Sequence, residues 1–209
     1  ALDEGLIKAA GPEACVRIHN TNTGKIIHAF FPTEGDKAGV RGDLRIPGVS
    51  GTGAPIRLEF LDPGGASTGR LLPTGQAAQW LEIPGRGRFR VSMVDAANAC
   101  VLVDPQSAGL TGLEMPAELT ARPDVLEMLN DIRIHASVAM GIAGSLEEAR
   151  GRRMIPFVGI VSPPRDAVML SGEMIRAEAV DLTVRMISSG QPHQALQLTA
   201  SLCIAVAAR

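Results

Sequence analysis

The chain has 209 residues, of which 45% are hydrophobic and 20% are charged, and its formal net charge is −2. This composition is that of a globular protein with room for one large domain or two small ones. Because the charge is close to neutral and aromatic residues are scarce (five Phe, one Trp and no Tyr), we expect neither a nucleic-acid partner nor an anionic membrane surface.

The cysteines and the apolar C-terminal stretch indicate whether the protein is cytoplasmic and whether it is inserted in a membrane. Cys15, Cys100 and Cys203 are far apart and form neither a CxxC pair nor a zinc-finger spacing, so we expect buried, reduced thiols in a cytoplasmic protein. The opening residues do not resemble a signal or transit segment. The final apolar stretch has about 16 residues, whereas a membrane-spanning helix needs roughly 20 mostly apolar ones. The sequence therefore predicts a buried core helix there and no membrane anchor.

The first half of the chain is predicted to be mostly β-structure. The opening ALDEGLI is typical of the last turn of a helix, which Gly11-Pro12 would end. Two β-rich runs on either side of Asn22-Thr23-Gly24 indicate a hairpin. Further strands are predicted at residues 44–46, 56–61, 89–94 and 100–103.

Helices are predicted after Pro105. The segment RPDVLEMLNDIRIHASVAMG has one apolar stripe at helical spacing, and Gly141 suits its end. The compact apolar run MIPFVGIVSPP predicts a buried strand. VDLTVRMISSG is interpreted as a second amphipathic helix, and residues 193–209 as a third. Because no Gly or Pro closes this last helix and the chain opens inside an element, both ends are interpreted as cut, which makes the chain a fragment of a longer protein.

Two glycine-rich stretches are candidate ligand loops. GVSGTGAP is not a GxGxxG motif and leads into a strand, and DPGGASTGRLLPTG lacks the GK[ST] ending of a phosphate loop, so neither predicts a nucleotide site. Both are typical of turns. The alternative for the second stretch is that Thr74 and Gly75 present a hydroxyl group and a backbone amide to a ligand.

The histidines do not suggest a metal site, but one of them has a position that favours ligand binding. None of the four histidines pairs with another at metal-ligand spacing. His193 and Gln194 follow Pro192 at the predicted start of the last helix, where free N–H groups favour a carboxylate or a phosphate. The alternative is an ordinary helix cap.

The segment around residue 98 leaves two further alternatives open. The polar residues 95–98 form either a simple turn or a loop that offers the Asn98 amide to a substrate carboxylate. Cys100 is either a reactive thiol or a packing residue, and its apolar strand favours packing. The sequence contains no recognisable Ser/His/Asp set, paired catalytic acids or nucleotide motif.

The order of segments resembles the PrpF family of cofactor-independent isomerases, which is related in fold to diaminopimelate epimerase. The resemblance covers almost all of the 209 residues, and its most specific parts are LLPTG and the GxxHxA pattern of Gly190, His193 and Ala195. The other matching stretches, in family order, are VRIHNTNTGKIIHA, LEFLDPGGASTGRLLPTGQ, VSMVDAANACVLVDPQSAGLTGLEMPAEL, IRIHASVAMGIA, IPFVGIVSPP and VDLTVRMISSGQPHQALQLTASLCIAVAAR.

The resemblance implies an α+β fold of two pseudo-symmetric halves, each a curved sheet around a central apolar helix. Residues 1–88 would be the remainder of the first half and residues 89–209 most of the second. The expected activity is movement of a proton, without a cofactor or metal, on a small unsaturated di- or tricarboxylate such as 2-methylaconitate. The alternatives are a 4-oxalomesaconate tautomerase, a non-catalytic dicarboxylate-binding module or an amino-acid epimerase. A homo-oligomer is compatible with this interpretation.

The resemblance implies residues that position the substrate, but it implies no catalytic residue in this sequence. The family places its proton-transfer Lys and Cys in a Ser/Lys loop and a Gly-Asn-Cys-Gly loop, and neither motif occurs in this sequence. We therefore assign no catalytic residue and expect the chain alone to be inactive. The residues expected to position the substrate are Thr74, Gly75, Asn98, His193 and Gln194.

Overall fold

The computed structural model describes residues 1–9, 11–46 and 50–209, so part of the GVSGTGAP stretch, Gly48 and Val49, lies outside the described residues. Two compact units are present, Ala1–Pro63 and Gly64–Arg209. The proposed boundary between pseudo-symmetric halves at residues 88 and 89 stays a prediction.

The first unit is a small antiparallel sheet around the predicted hairpin. Its strands are β1 Glu13–Asn20, β2 Lys25–Glu34, β3 Lys37–Ala38 and β4 Arg57–Phe60. Strand β2 pairs with all three others. The hairpin is confirmed, and its turn is closed by a 2.8 Å hydrogen bond from the Gly24 amide to the Asn20 carbonyl.

The opening ALDEGLI has the hydrogen bonds of a helix end: the Gly5 amide donates to the Leu2 carbonyl and the Leu6 amide to the Ala1 carbonyl, over 2.9 Å each, and Gly5 is left-handed (φ 66°). The predicted last turn of a helix agrees with this pattern, but the turn ends at Gly5 rather than at Gly11-Pro12. One strand prediction for the first unit was wrong. The predicted strand at 44–46 is reduced to an isolated bridge between Leu44 and Gly53.

The second unit is built on a six-stranded sheet, flanked by a separate two-stranded hairpin. The sheet strands in chain order are β5 Gln79–Ile83, β6 Gly87–Ala96, β7 Asn98–Val103, β8 Phe157–Ser162, β11 Thr183–Ser188 and β12 Gln191–Pro192. The hairpin strands are β9 Ala167–Val168 and β10 Met174–Ile175. The spatial order in the sheet is β12-β11-β8-β7-β6-β5, with β7 and β8 parallel and the other neighbours antiparallel.

Four α-helices accompany this sheet. They are α1 Pro116–Thr120, α2 Pro123–Ala139, α3 Leu146–Gly151 and α4 Leu198–Ala207, with short 3₁₀ turns at Pro105–Ala108 and Ala177–Ala179. Helix α2 and strand β8 confirm the two predictions made for their segments. Among the described residues, no helix is long and apolar enough to cross a bilayer.

The two C-terminal helix predictions need correction. The segment VDLTVRMISSG contains strand β11, because residues 183–187 pair with β8 and include β-branched residues that favour strands. The last helix begins at Leu198 rather than at His193. The cause is a tight turn at Ser189 and Gly190 (φ 51° and 77°), after which Pro192 pairs back with Ile187 as strand β12.

The sheet is covered on both faces, and alternate residues of each strand face opposite sides. On one face Met93, Val101 and Ile160 pack in a cluster with Leu129 and Ile132 of α2. On the other face Val94, Cys100 and Met186 pack with Ala200 and Cys203 of α4. One face of α4 is therefore buried, through Ala200, Cys203 and Ile204, whereas Leu198 is 57% exposed, so the predicted buried helix is confirmed for that face alone.

Candidate functional site

The turn between β6 and β7 meets the first turn of α4. Strands β6 and β7 pair as far as Ala96 and Asn98, which leaves Ala97 at the tip with a left-handed backbone (φ 60°). The Asn98 side-chain amide donates a hydrogen bond of 3.4 Å to the Thr199 hydroxyl group in α4. The predicted binding residue Asn98 thus lies against the start of the terminal helix.

The N-terminus of α4 has unused donors. The N-cap residue Gln197 makes no side-chain capping bond. Within residues 1–9, 11–46 and 50–209, the backbone amides of positions 198–200 have no hydrogen-bond acceptor. Free amides at a helix N-terminus carry a partial positive charge and favour an anion.

His193 lies in a side-chain cluster attached to this helix start. Its Nε2 atom is 2.5 Å from Ser188 Oγ and 2.5 Å from Gln197 Nε2. The His193 backbone amide donates to the Met186 carbonyl over 2.8 Å. The Gln197 side chain and the Ser188 hydroxyl group thus both meet the same ring nitrogen of His193. His193 therefore reaches the helix N-terminus through strand β12 and Gln197, and not as the first residue of the helix.

The loop of residues 64–69 is fixed by Asp95, which the sequence patterns did not single out. Asp95 is 0% exposed. Its Oδ2 atom accepts hydrogen bonds from the Ser67 amide (2.8 Å), the Thr68 amide (2.6 Å) and the Thr68 hydroxyl group (2.8 Å). These two loop amides are therefore occupied by the protein's own carboxylate, which favours the turn interpretation for the GGAST part of the glycine-rich stretch. The sequence placed Asp95 in a loop after a strand that ends at residue 94, whereas strand β6 runs to Ala96 and includes this buried acid.

The other predicted residues stand apart from this cluster. The Thr74 hydroxyl group is buried and has no hydrogen-bond partner in the described part of the chain. Gly75 is exposed with φ 76°, and its amide donates to the Leu72 carbonyl. Gln194 is exposed. The described residues include no hydrogen bond that joins Thr74, Gly75 or Gln194 to Asn98 or His193.

The cysteines divide into one exposed and two buried thiols. Cys100 and Cys203 are 0% exposed, whereas Cys15 is exposed, contrary to the prediction of three buried thiols. A hydrogen bond with Cys203, together with burial, raises the pKa of Cys100 well above its usual range. Cys100 is therefore a neutral packing residue. Among the described residues, no group of three or more His, Cys, Asp or Glu side chains is arranged to hold a metal ion.

This arrangement is suited to hold a carboxylate. The α4 amides supply partial positive charge, and the Asn98 amide and the His193 ring lie beside them with further donor capacity. Donors fixed in a partly buried position need little reorganisation when a ligand arrives. The geometry thus favours binding and orientation of an anionic ligand at the α4 N-terminus.

Comparison with known proteins identifies similar chains. The PrpF protein family model matches residues 1–209. The 3-methylitaconate isomerase of Eubacterium barkeri is 39% identical over 211 residues, covering 100% of this chain and 55% of that protein. The 2-methyl-aconitate isomerase of Shewanella oneidensis is 33% identical, covering 100% of this chain and 54% of that protein. The (4E)-oxalomesaconate Delta-isomerase of Novosphingobium is 34% identical over 79% of this chain and 44% of that protein.

A solved structure is also similar. The crystal structure of methylitaconate-delta-isomerase matches with a TM-score of 0.89 and 38% identity, covering 100% of this chain and 54% of that one. The chain therefore spans about half the length of these relatives.

Proposed function

This chain belongs to the PrpF protein family, and we propose that it is part of a cofactor-independent isomerase. The proposed enzyme moves a proton on a small unsaturated di- or tricarboxylate such as 2-methylaconitate. The chain has the α+β, diaminopimelate epimerase-like fold that the resemblance implied. The observation that carries the proposal is the uncapped first turn of α4 beside Asn98 and His193, in a chain whose relatives are named methylitaconate and 2-methyl-aconitate isomerases.

In this proposal the site binds and orients one substrate carboxylate. The amides of the first turn of α4 hold it, and the Asn98 amide and the His193 ring fix its direction. Removal of an allylic proton spreads negative charge toward a conjugated carboxylate. The donors hold that carboxylate in the substrate and in the intermediate alike, so loss of a donor is expected mainly to raise KM. Return of the proton to another carbon completes the isomerisation.

Proton transfer itself is assigned to groups outside this sequence. The Lys and Cys motifs that the family resemblance implies are absent here. The relatives are about twice as long as the matched region. We propose that the remainder of such a protein supplies the acid and the base, and that Thr74, Gly75 and Gln194 have at most a secondary role in positioning.

Two alternatives are distinguished by specific observations. The 34% identity to an oxalomesaconate isomerase supports 4-oxalomesaconate as substrate. A dicarboxylate-binding module without catalysis is the other alternative, since the contacts at the start of α4 would serve binding alone equally well. A cytoplasmic location is also proposed, supported by the free cysteines, and a homo-oligomer stays a prediction.

The test uses the complete product of the gene that encodes this chain. It is incubated in D₂O with 2-methylaconitate, 3-methylitaconate or 4-oxalomesaconate, and proton NMR follows isomerisation and deuterium uptake. We expect turnover of at least one of these compounds. Saturable binding without any deuterium uptake would support the binding module, and the absence of both binding and turnover would disprove both functions.

A matched pair of variants links activity to the site. His193→Ala removes the ring from the cluster, whereas Gln106→Ala alters an exposed side chain outside the candidate site. We expect the first variant to raise KM about tenfold and the second to leave it unchanged. Equal KM values for the two variants would exclude His193 from substrate binding.

A further inference from the structure

Asp95 is the most deeply buried acid among the described residues. It is 0% exposed, and the next acid, Glu114, is 9% exposed. A buried carboxylate is retained only where hydrogen bonds compensate for lost hydration. The neighbours of Asp95 therefore indicate what the residue does.

The hydrogen-bond partners of Asp95 all belong to one short segment that runs beside the end of β6, whereas its Oδ1 atom is buried and has no partner in the described part of the chain. Three hydrogen bonds reach Oδ2 from Ser67 and Thr68. The backbone of Asp95 continues the link, because its carbonyl accepts from the Gly65 amide (2.8 Å) and its amide donates to the Leu71 carbonyl (2.9 Å). Asp95 thus holds the segment of residues 64–71 to the strand through both its side chain and its backbone.

The same strand end carries the candidate site. Asp95 pairs with Ala99, and the next pair, Ala96 and Asn98, closes the turn. Asn98 in turn contacts Thr199 in the first turn of α4. A short series of direct contacts therefore connects the Asp95 carboxylate with the donors proposed to bind substrate.

We infer that Asp95 is a positioning residue for the substrate site. By fixing the 64–71 segment to β6, it keeps the turn that carries Asn98 in one orientation relative to α4. Asp95 is fully buried, so the proposed role does not require contact with the substrate. The inference rests on the proposed function and adds to it a residue that sets affinity from outside the binding surface.

The rival interpretation is that Asp95 only stabilises the fold. Stability alone would lower the melting temperature without a selective effect on substrate affinity. A positioning role predicts that KM rises while kcat changes little, because misplaced binding donors weaken binding more than the chemistry assigned to other groups. The ratio of these effects separates the two interpretations.

The experiment compares four forms of the complete gene product: wild type, Asp95→Asn, Thr68→Val and Ser67→Ala. Asp95→Asn replaces charge-assisted hydrogen bonds with weaker neutral ones. Thr68→Val removes one of the three hydrogen bonds to Oδ2, together with the two hydrogen bonds between the Thr68 hydroxyl group and the Arg70 backbone, and it carries the test if Asp95→Asn does not fold. Ser67→Ala is the control, because only the Ser67 backbone amide reaches Asp95.

Hydrogen–deuterium exchange of residues 64–71 and steady-state kinetics with 2-methylaconitate are measured on each form. If the wild type does not turn over 2-methylaconitate, the kinetics use the polycarboxylate that it does turn over. We expect faster exchange in this segment and a KM increase of about tenfold for Asp95→Asn, with smaller effects for Thr68→Val and none for Ser67→Ala. Faster exchange with unchanged KM would show that Asp95 has only a structural role. Unchanged exchange would show that Asp95 does not hold residues 64–71 to strand β6. If the wild type neither binds nor turns over any polycarboxylate, the proposed function and this inference are both overturned. If the wild type is active and Asp95→Asn has the wild-type KM, this inference alone is overturned.

Discussion

The Asn98 side-chain amide donates a hydrogen bond of 3.4 Å to the Thr199 hydroxyl group, 101 positions later in the chain. This contact joins the tip of the β6–β7 turn to the first turn of α4. Asn98 alone is predictable as a ligand-binding residue, but its partner places it at a helix N-terminus, where an anion is favoured.

Substitution of either partner should cost stability, and the two costs should not add. We expect Asn98→Ala to lower the free energy of unfolding by about 0.5–1.5 kcal/mol because one side-chain hydrogen bond is lost. Urea denaturation of Asn98→Ala, Thr199→Ala and the double variant measures the coupling. Strictly additive effects would show that the two side chains do not interact in solution.

Gly65 is predicted to be intolerant of any side chain. A Cβ atom there would lie 2.5 Å from the Gly69 carbonyl carbon and 2.6 Å from the Arg70 nitrogen, and the residue has φ 70°. We expect Gly65→Ala to destabilise the chain by about 2 kcal/mol or more, since backbone atoms must move in addition to the left-handed strain.

Gly85 is the matched control for this substitution. It has φ 75°, but a Cβ atom added there would meet no atom within 4 Å beyond its chain neighbours. Thermal unfolding of Gly85→Ala should show only the left-handed penalty of about 1 kcal/mol. Equal losses for the two variants would show that the crowding at Gly65 is relieved without cost.

The fold was predictable where the local pattern and the tertiary environment agree. The apolar stripe of α2 and the Asn/Gly turn between β1 and β2 are local signals, and both elements form as expected. The helix prediction for strand β11 was wrong because short apolar runs fit both periodicities. Its state is decided by pairing with β8, which no local pattern contains.

The candidate site was predictable only in part, for the same reason. Asn98 and His193 are identifiable from loop position and residue type, and both lie beside the start of α4. Ser188 and Gln197 are not, because the turn at Ser189 and Gly190 brings them to His193 only after β12 pairs with β11. Asp95 also escapes prediction, because its partners lie 27 and 28 positions away in a segment that has no recognisable motif.

Arg133 is predicted to stabilise the fold although no acid among the described residues pairs with it. It is 4% exposed, and its Nη1 atom donates to the carbonyls of Ala149 (3.0 Å) and Arg152 (2.7 Å) at the end of α3. We expect Arg133→Met to lower the free energy of unfolding by about 2–3 kcal/mol, because two carbonyl groups lose their charged donor. Urea denaturation measures the loss.

The exposed pair of Arg176 and Asp166 provides the comparison for Arg133. An ion pair in solvent contributes at most about 1 kcal/mol, so Arg176→Met should change stability by less than that. If Arg133→Met were as mild as Arg176→Met, the buried guanidinium would not hold α2 and α3 together.

Cys100 is predicted to make the chain less stable at alkaline pH. The hydrogen bond with Cys203 and burial raise the pKa of Cys100 well above its usual range, while the same hydrogen bond lowers the pKa of Cys203. The folded pair therefore retains the Cys100 proton that the unfolded chain releases near pH 8.5. This contribution to stability is fully present below about pH 8.5 and is lost as the pH rises toward the folded-state pKa, at up to about 1.4 kcal/mol per pH unit.

Urea denaturation between pH 7 and 10 should show a steeper decline for the wild type than for Cys100→Ser, whose hydroxyl group does not titrate in this range. Cys15→Ser, which removes the exposed thiol, should decline like the wild type. The same slope for the wild type and Cys100→Ser would mean that Cys100 ionises as easily in the folded chain as in the unfolded one.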